Sequence, residues 1–131
     1  MLTEMGEVVI KICIVEDEKE HYEVIKNYIG RCSAGKEVDI TWVTDGIDLV
    51  DDYKGQFDII FLDPPYAEDV LEQALAHIAG FDILAPHGII IAESPAEKTL
   101  PALAAPYGVY REYRYGKIKV TIYHREGEEM P

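Results

Sequence analysis

Cysteine is scarce: Cys13 and Cys32 are the two in 131 residues. Two thiols build no disulfide framework, and neither sits at metal-ligand spacing from a histidine. Cys13 falls inside a strand pattern and reads as a buried thiol, and Cys32 follows a helical pattern and reads as a free surface or semi-buried one. No apolar run approaches the ~20 residues that a membrane-spanning helix needs. The opening Met1-Leu2-Thr3-Glu4 is too short and too acidic for a signal peptide, so the expected location is the cytoplasm, with no membrane partner. Positive charge is also short. Twelve Lys and Arg stand against 25 Asp and Glu, a formal net charge of -13. Proteins that hold nucleic acid through its phosphates present cations on the binding face. The balance therefore argues against a nucleic-acid partner, apart from a basic stretch near Arg111 to Lys119. Repeats, linkers and low-complexity segments are absent.

What is present suits one globular domain over residues 1–131. Hydrophobic residues make up 48% of the chain, enough for a real core. Val8 to Val15 is nearly continuous strand-forming sequence, closed by Glu16-Asp17-Glu18. A helix is expected from about Asp17 to Arg31, with Tyr22, Ile25 and Ile29 on one stripe. Asp39 to Val43 reads as a strand, with Trp42 in the core. Thr44-Asp45-Gly46 reads as a turn, and Ile47, Val50 and Tyr53 mark a short helix. Ile59 to Leu62 reads as a strand buried on both faces. A helix over 67–79 and a strand over 88–92 follow, then a loop over 93–101. Tyr110 to Tyr115 and Lys117 to His124 read as an antiparallel hairpin. Its exposed edge offers a route to a homodimer, and its Arg111, Arg114, Lys117 and Lys119 read as a solvated strand face. The alternation predicts a three-layer α/β/α sandwich around a mostly parallel, doubly wound sheet of flavodoxin-like or Rossmann-like type, with a C-terminal hairpin.

The chain's centre of gravity is Phe57-Asp58-Ile59-Ile60-Phe61-Leu62-Asp63-Pro64-Pro65-Tyr66. Neither proline can donate to a sheet ladder, so the strand must stop at Asp63. A carboxylate, a rigid turn and an aromatic ring thus meet at the carboxyl edge of a central strand, where open α/β sheets bind ligands. Asp-Pro-Pro-Tyr resembles motif IV of the S-adenosylmethionine-dependent amino-methyltransferases. The resemblance makes Asp63, Pro64, Pro65 and Tyr66 the candidate catalytic residues. Asp63 and the Pro64 carbonyl would accept hydrogen bonds from the target amine, and Tyr66 would stack on a flipped base.

From about Phe57 to Arg125 the chain resembles the 16S rRNA guanine-N2 methyltransferase family. The motif, the helix after it, Leu84-Ala85-Pro86-His87-Gly88-Ile89-Ile90-Ile91-Ala92-Glu93 and Tyr113-Arg114-Tyr115-Gly116-Lys117 carry that likeness. The family typically has Gly where this chain has His87. It also opens on a strand and a Gly-rich turn under the cofactor, and nothing before Val8 supplies one. The resemblance still implies a ribose-gripping acid at Glu16 and an adenine-side residue at Asp45. From about Lys11 to Asp63 the chain resembles a response-regulator receiver of the LytTR-associated type, through Ile12 to Glu18, Thr44-Asp45-Gly46 and Phe57 to Asp63. That likeness implies Mg²⁺ at Glu16, Asp17 and Asp63.

The leading expectation is therefore a hybrid: a receiver-like half (about 8–63) joined to a methyltransferase-like half (about 57–125), without a complete catalytic site. Two alternatives stand beside it. One is a divergent S-adenosylmethionine-dependent rRNA guanine-N2 methyltransferase. The other is a Mg²⁺-binding phospho-acceptor receiver module.

Overall fold

The computed structural model describes residues 9–33, 36–44, 55–63 and 70–127. Eight elements follow one another: β1 (Val9–Val15), α1 (Lys19–Cys32), β2 (Glu37–Val43), β3 (Phe57–Leu62), α2 (Val70–Phe81), β4 (Leu84–Pro95), β5 (Tyr107–Tyr115) and β6 (Ile118–Arg125). The strands form one sheet in the order β2-β1-β3-β4-β6-β5. Pairings among β2, β1, β3 and β4 are parallel, and β6 runs antiparallel to both β4 and β5. The expected Rossmann-like α/β sheet with a closing hairpin is the one observed. The short helix expected at 47–53 lies outside the described residues.

The period-two pleat sends alternate side chains of β1 to opposite faces. Ile12 and Ile14 go to one face, where they pack with Tyr22 of α1 and with Ile25, Ile29 and Trp42 around it. Cys13 and Val15 go to the other, together with Ile60 and Leu62 of β3. There α2 lays down Leu71, Ala74, Leu75 and Ile78, all nearly or fully buried. The i, i+3, i+4, i+7 spacing of those four is what makes α2 a one-sided helix. The two helices thus cover opposite faces. Burial in the larger cluster pushes the Cys13 thiol up to about 12, so it is an inert core group. Cys32 is exposed.

β4 is longer than its apolar run suggests. It starts at Leu84, and the register slips between Phe57↔Leu84 and Ile59↔Ile89. Ala85 to Gly88 form the excursion. His87 there has φ +61°, a left-handed conformation in which a Cβ is crowded. A Cβ on Gly88 would lie 2.9 Å from both the Ala85 carbonyl oxygen and the Leu84 side chain. β4 also continues through Pro95, because β6 pairs with it from Ile90↔Tyr123 to Pro95↔Ile118. Residues 93–95 are thus strand and not the expected loop. Their second partner lies more than twenty residues away in sequence.

The hairpin is tied back to the body by one cation. Helix α2 ends with Asp82 at φ +51°, and the Ile83 N–H returns to the Ile78 carbonyl at 3.2 Å, the closure of a Schellman-type cap. Asp82 holds this position, which glycine favours, because its carboxylate has two partners. The Tyr107 hydroxyl donates to Oδ1 at 2.6 Å, and Arg125 Nη2 donates to the same oxygen at 2.6 Å. Arg125 also donates to the carbonyls of Ala85 (2.7 Å) and Leu84. Its guanidinium lies over the Tyr107 ring, 5.2 Å from the centroid.

Replacing Arg125 by Met removes the donor to the Ala85 and Leu84 carbonyls and one of the two donors to Asp82 Oδ1, which keeps its Tyr107 bond, so Arg125→Met is expected to destabilise by about 2 kcal/mol, read from the urea midpoint. At His87, the Gly variant should be no less stable than the parent. His87→Val should lose about 1–2 kcal/mol, because a β-branched residue suits positive φ least. Thermal melts of the two variants side by side check the difference.

Candidate functional site at the carboxyl edge of the sheet

Parallel pairing places the last parallel-paired residues of these strands in one row. Val15 pairs with Val43 on one side and Leu62 on the other, and Leu62 pairs with Ala92. The residues that follow these are Thr44, Glu16, Asp63 and Glu93, so three carboxyl groups line the carboxyl edge of adjacent strands. The ladder holds the central pair in place. The Glu16 N–H donates to the Val43 carbonyl at 3.0 Å, and the Asp63 N–H donates to the Val15 carbonyl at 3.1 Å.

Glu16 is the unusual member. It is 2% exposed. Its Oε1 accepts the Glu18 N–H at 3.1 Å, while Oε2 is buried without a hydrogen-bond partner among the described residues. Trp42 roofs it. The indole N–H donates to the Glu16 carbonyl at 2.7 Å, and the indole stacks on Tyr22 with centroids 4.3 Å apart and planes 5° from parallel. Burial disfavours the charged form and pushes the Glu16 carboxyl up to about 7, from an ordinary 4.5; the Glu18 N–H opposes this, and the neighbouring Asp63 and Asp17 carboxyls add to it. His21, one turn into α1, faces solvent as expected but lies 3.4 Å from both Glu16 Oε1 and Glu18 Oε2. The Glu18 and Glu16 charges raise its pKa.

The sequence-predicted site is partly assembled. Glu16 and Asp63 come together in one edge. Asp45, Pro64, Pro65 and Tyr66 lie outside the described residues. The metal reading of Glu16, Asp17 and Asp63 is corrected: no group of three or more His, Cys, Asp or Glu among the described residues is arranged to hold an ion. Asp17 is exposed beyond the strand end, because consecutive residues leaving a strand point to opposite sides. Of the expected solvated face, Arg111, Arg114 and Lys117 are exposed, and only Lys119 departs from the expectation. Lys119 is buried at 5% exposure and donates to the Lys98 carbonyl, since it shares the α2 face with Thr121 and Tyr123. Sequence reasoning missed the burial of Glu16 against Trp42. An acid directly after seven strand residues was the available signal. Apart from this edge, an apolar cavity of about 700 Å³ lies between α1 and the sheet, lined by Ile10, Ile25, Tyr28, Ile59, Phe61 and Ile91. No helix among the described residues is long and apolar enough to cross a membrane.

A doubly wound sheet with acids at the carboxyl edge, one of them heading Asp-Pro-Pro-Tyr, defines a Rossmann-like chain of the methyltransferase type. The chain belongs to the family described as conserved hypothetical protein 95, whose model matches residues 8–124. That match runs without a break across both halves of the expected hybrid, so one ancestry covers what two were invoked to explain. No receiver likeness was found. YlbH of Bacillus subtilis is 38% identical over 68 residues, which is 52% of this chain and 37% of YlbH. Ribosomal RNA small subunit methyltransferase D of Escherichia coli is 31% identical over 70 residues, 53% of this chain and 35% of that protein. The aligned stretch thus spans about a third of these relatives' length. Among solved structures, a conserved hypothetical protein of Streptococcus pyogenes superposes with a TM-score of 0.65 at 23% identity, over 92% of this chain and 89% of that one. At that identity the likeness is one of fold.

The Glu16 shift has a checkable sign. Its folded pKa lies above its unfolded value, so folding takes up a proton. Stability is then fullest below about 4.5 and falls as pH rises through about 7, by at most ~3 kcal/mol if the whole shift is realised. Glu16→Gln cannot titrate. Its stability relative to the parent should therefore improve steadily from pH 5 to pH 8, measured by urea unfolding at each pH. An equal difference at both ends would refute the burial cost.

Proposed function

We propose that this chain carries the catalytic edge of an S-adenosylmethionine-dependent methyltransferase acting on an exocyclic guanine amine of small-subunit ribosomal RNA. The observation that carries the reading is Glu16. It is a buried carboxylate with an unsatisfied oxygen, set beside Asp63 at the carboxyl edge, inside the stretch that matches the family. Family membership and the name of the E. coli relative supply the RNA and the reaction class.

The residues present fit that cofactor in chemical terms. An orphaned acceptor whose ionisation is suppressed by burial is satisfied by a hydroxyl donor, and a ribose diol offers two. When bound, S-adenosylmethionine supplies a methyl group on an electron-poor sulfur. Everything else falls to the chain. Asp63 accepts an N–H from the target amine and so directs the nitrogen lone pair along the line of transfer. Pro64 would offer a second acceptor through its carbonyl, and Tyr66 would hold the base by stacking, both on the strength of the motif resemblance. The Trp42 indole, stacked on Tyr22, holds the Glu16 backbone carbonyl and so helps fix this position.

Calorimetric titration of the protein with S-adenosylmethionine tests this directly. Saturable binding is expected, stronger at pH 8 than at pH 6 because the ionised Glu16 is the better acceptor, and at least tenfold weaker in Glu16→Gln (about 1.4 kcal/mol). Asp63→Ala should keep the binding and abolish methyl transfer to ribosomal RNA. Absence of binding at millimolar cofactor overturns the reading.

A further inference from the structure

The β5–β6 hairpin differs from the rest of the molecule in both charge and surface. Residues Tyr107–Arg125 hold five of the 12 Lys and Arg and one of the 25 Asp and Glu. That segment is net plus four, and the remainder of the chain is minus seventeen. Five of the eight large hydrophobic side chains that are exposed among the described residues also lie here: Val109, Tyr110, Tyr113, Tyr115 and Ile118.

The register sorts these side chains. Arg114 and Glu112 pair with Lys119 and Thr121, on the α2 face. There Arg114 donates to the Ala96 carbonyl at 3.0 Å. Arg111, Tyr113 and Tyr115 pair with Ile122, Val120 and Ile118, on the opposite face. A bulge between Val109 and Arg111 brings Tyr110 to that same side, where its ring meets His124 edge-on at 5.1 Å. The Arg111 guanidinium lies 5.4 Å from the Tyr110 ring centroid. Three tyrosines and an arginine therefore share one exposed sheet face. Lys117 stands at the hairpin tip, beside Gly116 at φ +59°.

The same register aims this face at the site. Tyr113 pairs with Val120, Val120 with Glu93, and Glu93 follows the Ala92 that pairs with Leu62. Tyr113 thus stands level with Asp63, three strands across, roughly 14 Å at the ordinary strand spacing. Two or three nucleotides cover that distance.

We propose that Tyr110, Arg111, Tyr113 and Tyr115 form a stacking platform for unpaired RNA bases that flank the nucleotide delivered to the Glu16–Asp63 edge. Bases have π-faces that exposed tyrosines take without sequence preference. The phosphates meet the one segment of a very acidic protein whose charge is positive. The inference rests on the RNA reading above and assigns its substrate-holding surface.

Fluorescence anisotropy with a labelled single-stranded oligoribonucleotide, without cofactor, tests it. Tyr110→Ala and Tyr113→Ala should each weaken binding about fivefold or more. Arg111→Ala should weaken it and lower the slope of log affinity against log salt by about 0.7. Tyr28→Ala, at a tyrosine on α1 that is more exposed than either, should change nothing. Unchanged affinity in the Tyr110 and Tyr113 variants overturns the platform. So does equal affinity for the same RNA annealed to its complement, or sedimentation showing that these variants only break a dimer of this chain. Because no cofactor is present, the result is independent of the S-adenosylmethionine titration, and either idea can fail alone.

Discussion

The parallel register of β1, β3 and β4 is the constraint on which the rest depends. Val15, Leu62 and Ala92 lie side by side, and the residue after each is a carboxylate: Glu16 and Asp63 just past their strands and Glu93 within β4. A slip of one residue in any strand would turn its core face outward. It would also move Glu16 or Asp63 out of line. Core packing and site geometry are thus set by one set of backbone hydrogen bonds. The cost falls on Glu16, a carboxyl that burial makes hard to ionise. A protein that keeps such a carboxyl buried, with Oε2 unpartnered among the described residues, spends stability on it, a common mark of functional positions.

Around this edge the two ends of the sheet do different work. The β2–β1 end holds the buried Glu16, whose backbone carbonyl accepts from Trp42, itself stacked on Tyr22. The β6–β5 end carries the positive charge and the exposed rings. Arg125 anchors that hairpin to the loop after α2 through Asp82 and the carbonyls of residues 84 and 85. The exposed rings of the hairpin are therefore held in register with the carboxyl edge through β4. The net charge of -13 is unevenly spread, and the basic stretch that the sequence set apart lies on this hairpin.

Much of this was legible in the residues. The strand–helix alternation, the apolar stripe of α2 and the hairpin all follow from periodicity and turn chemistry, which act over a few residues; the burial of Ile59 to Leu62 is full on the α2 face and partial on the α1 face. Asp63 as a strand-ending acid was legible for the same reason, since two prolines leave the strand no continuation. The division of the chain into two ancestries was not sustained. A strand ending in acids followed by an amphipathic helix is common to many doubly wound folds, so local text cannot tell them apart, whereas one family match over 8–124 can.

What the sequence determined by itself, then, was the class of fold and the edge on which chemistry would sit, because both depend on local patterns. Only the tertiary structure decided which acids meet. It set Glu16 beneath Trp42, twenty-six residues away, and left Asp17 in solvent. It extended β4 to Pro95 by pairing it with β6, buried Lys119, and gathered Tyr110, Arg111, Tyr113 and Tyr115 on one face by means of a bulge. Each of these depends on contacts between residues distant in the chain, and no short-range pattern encodes the partner.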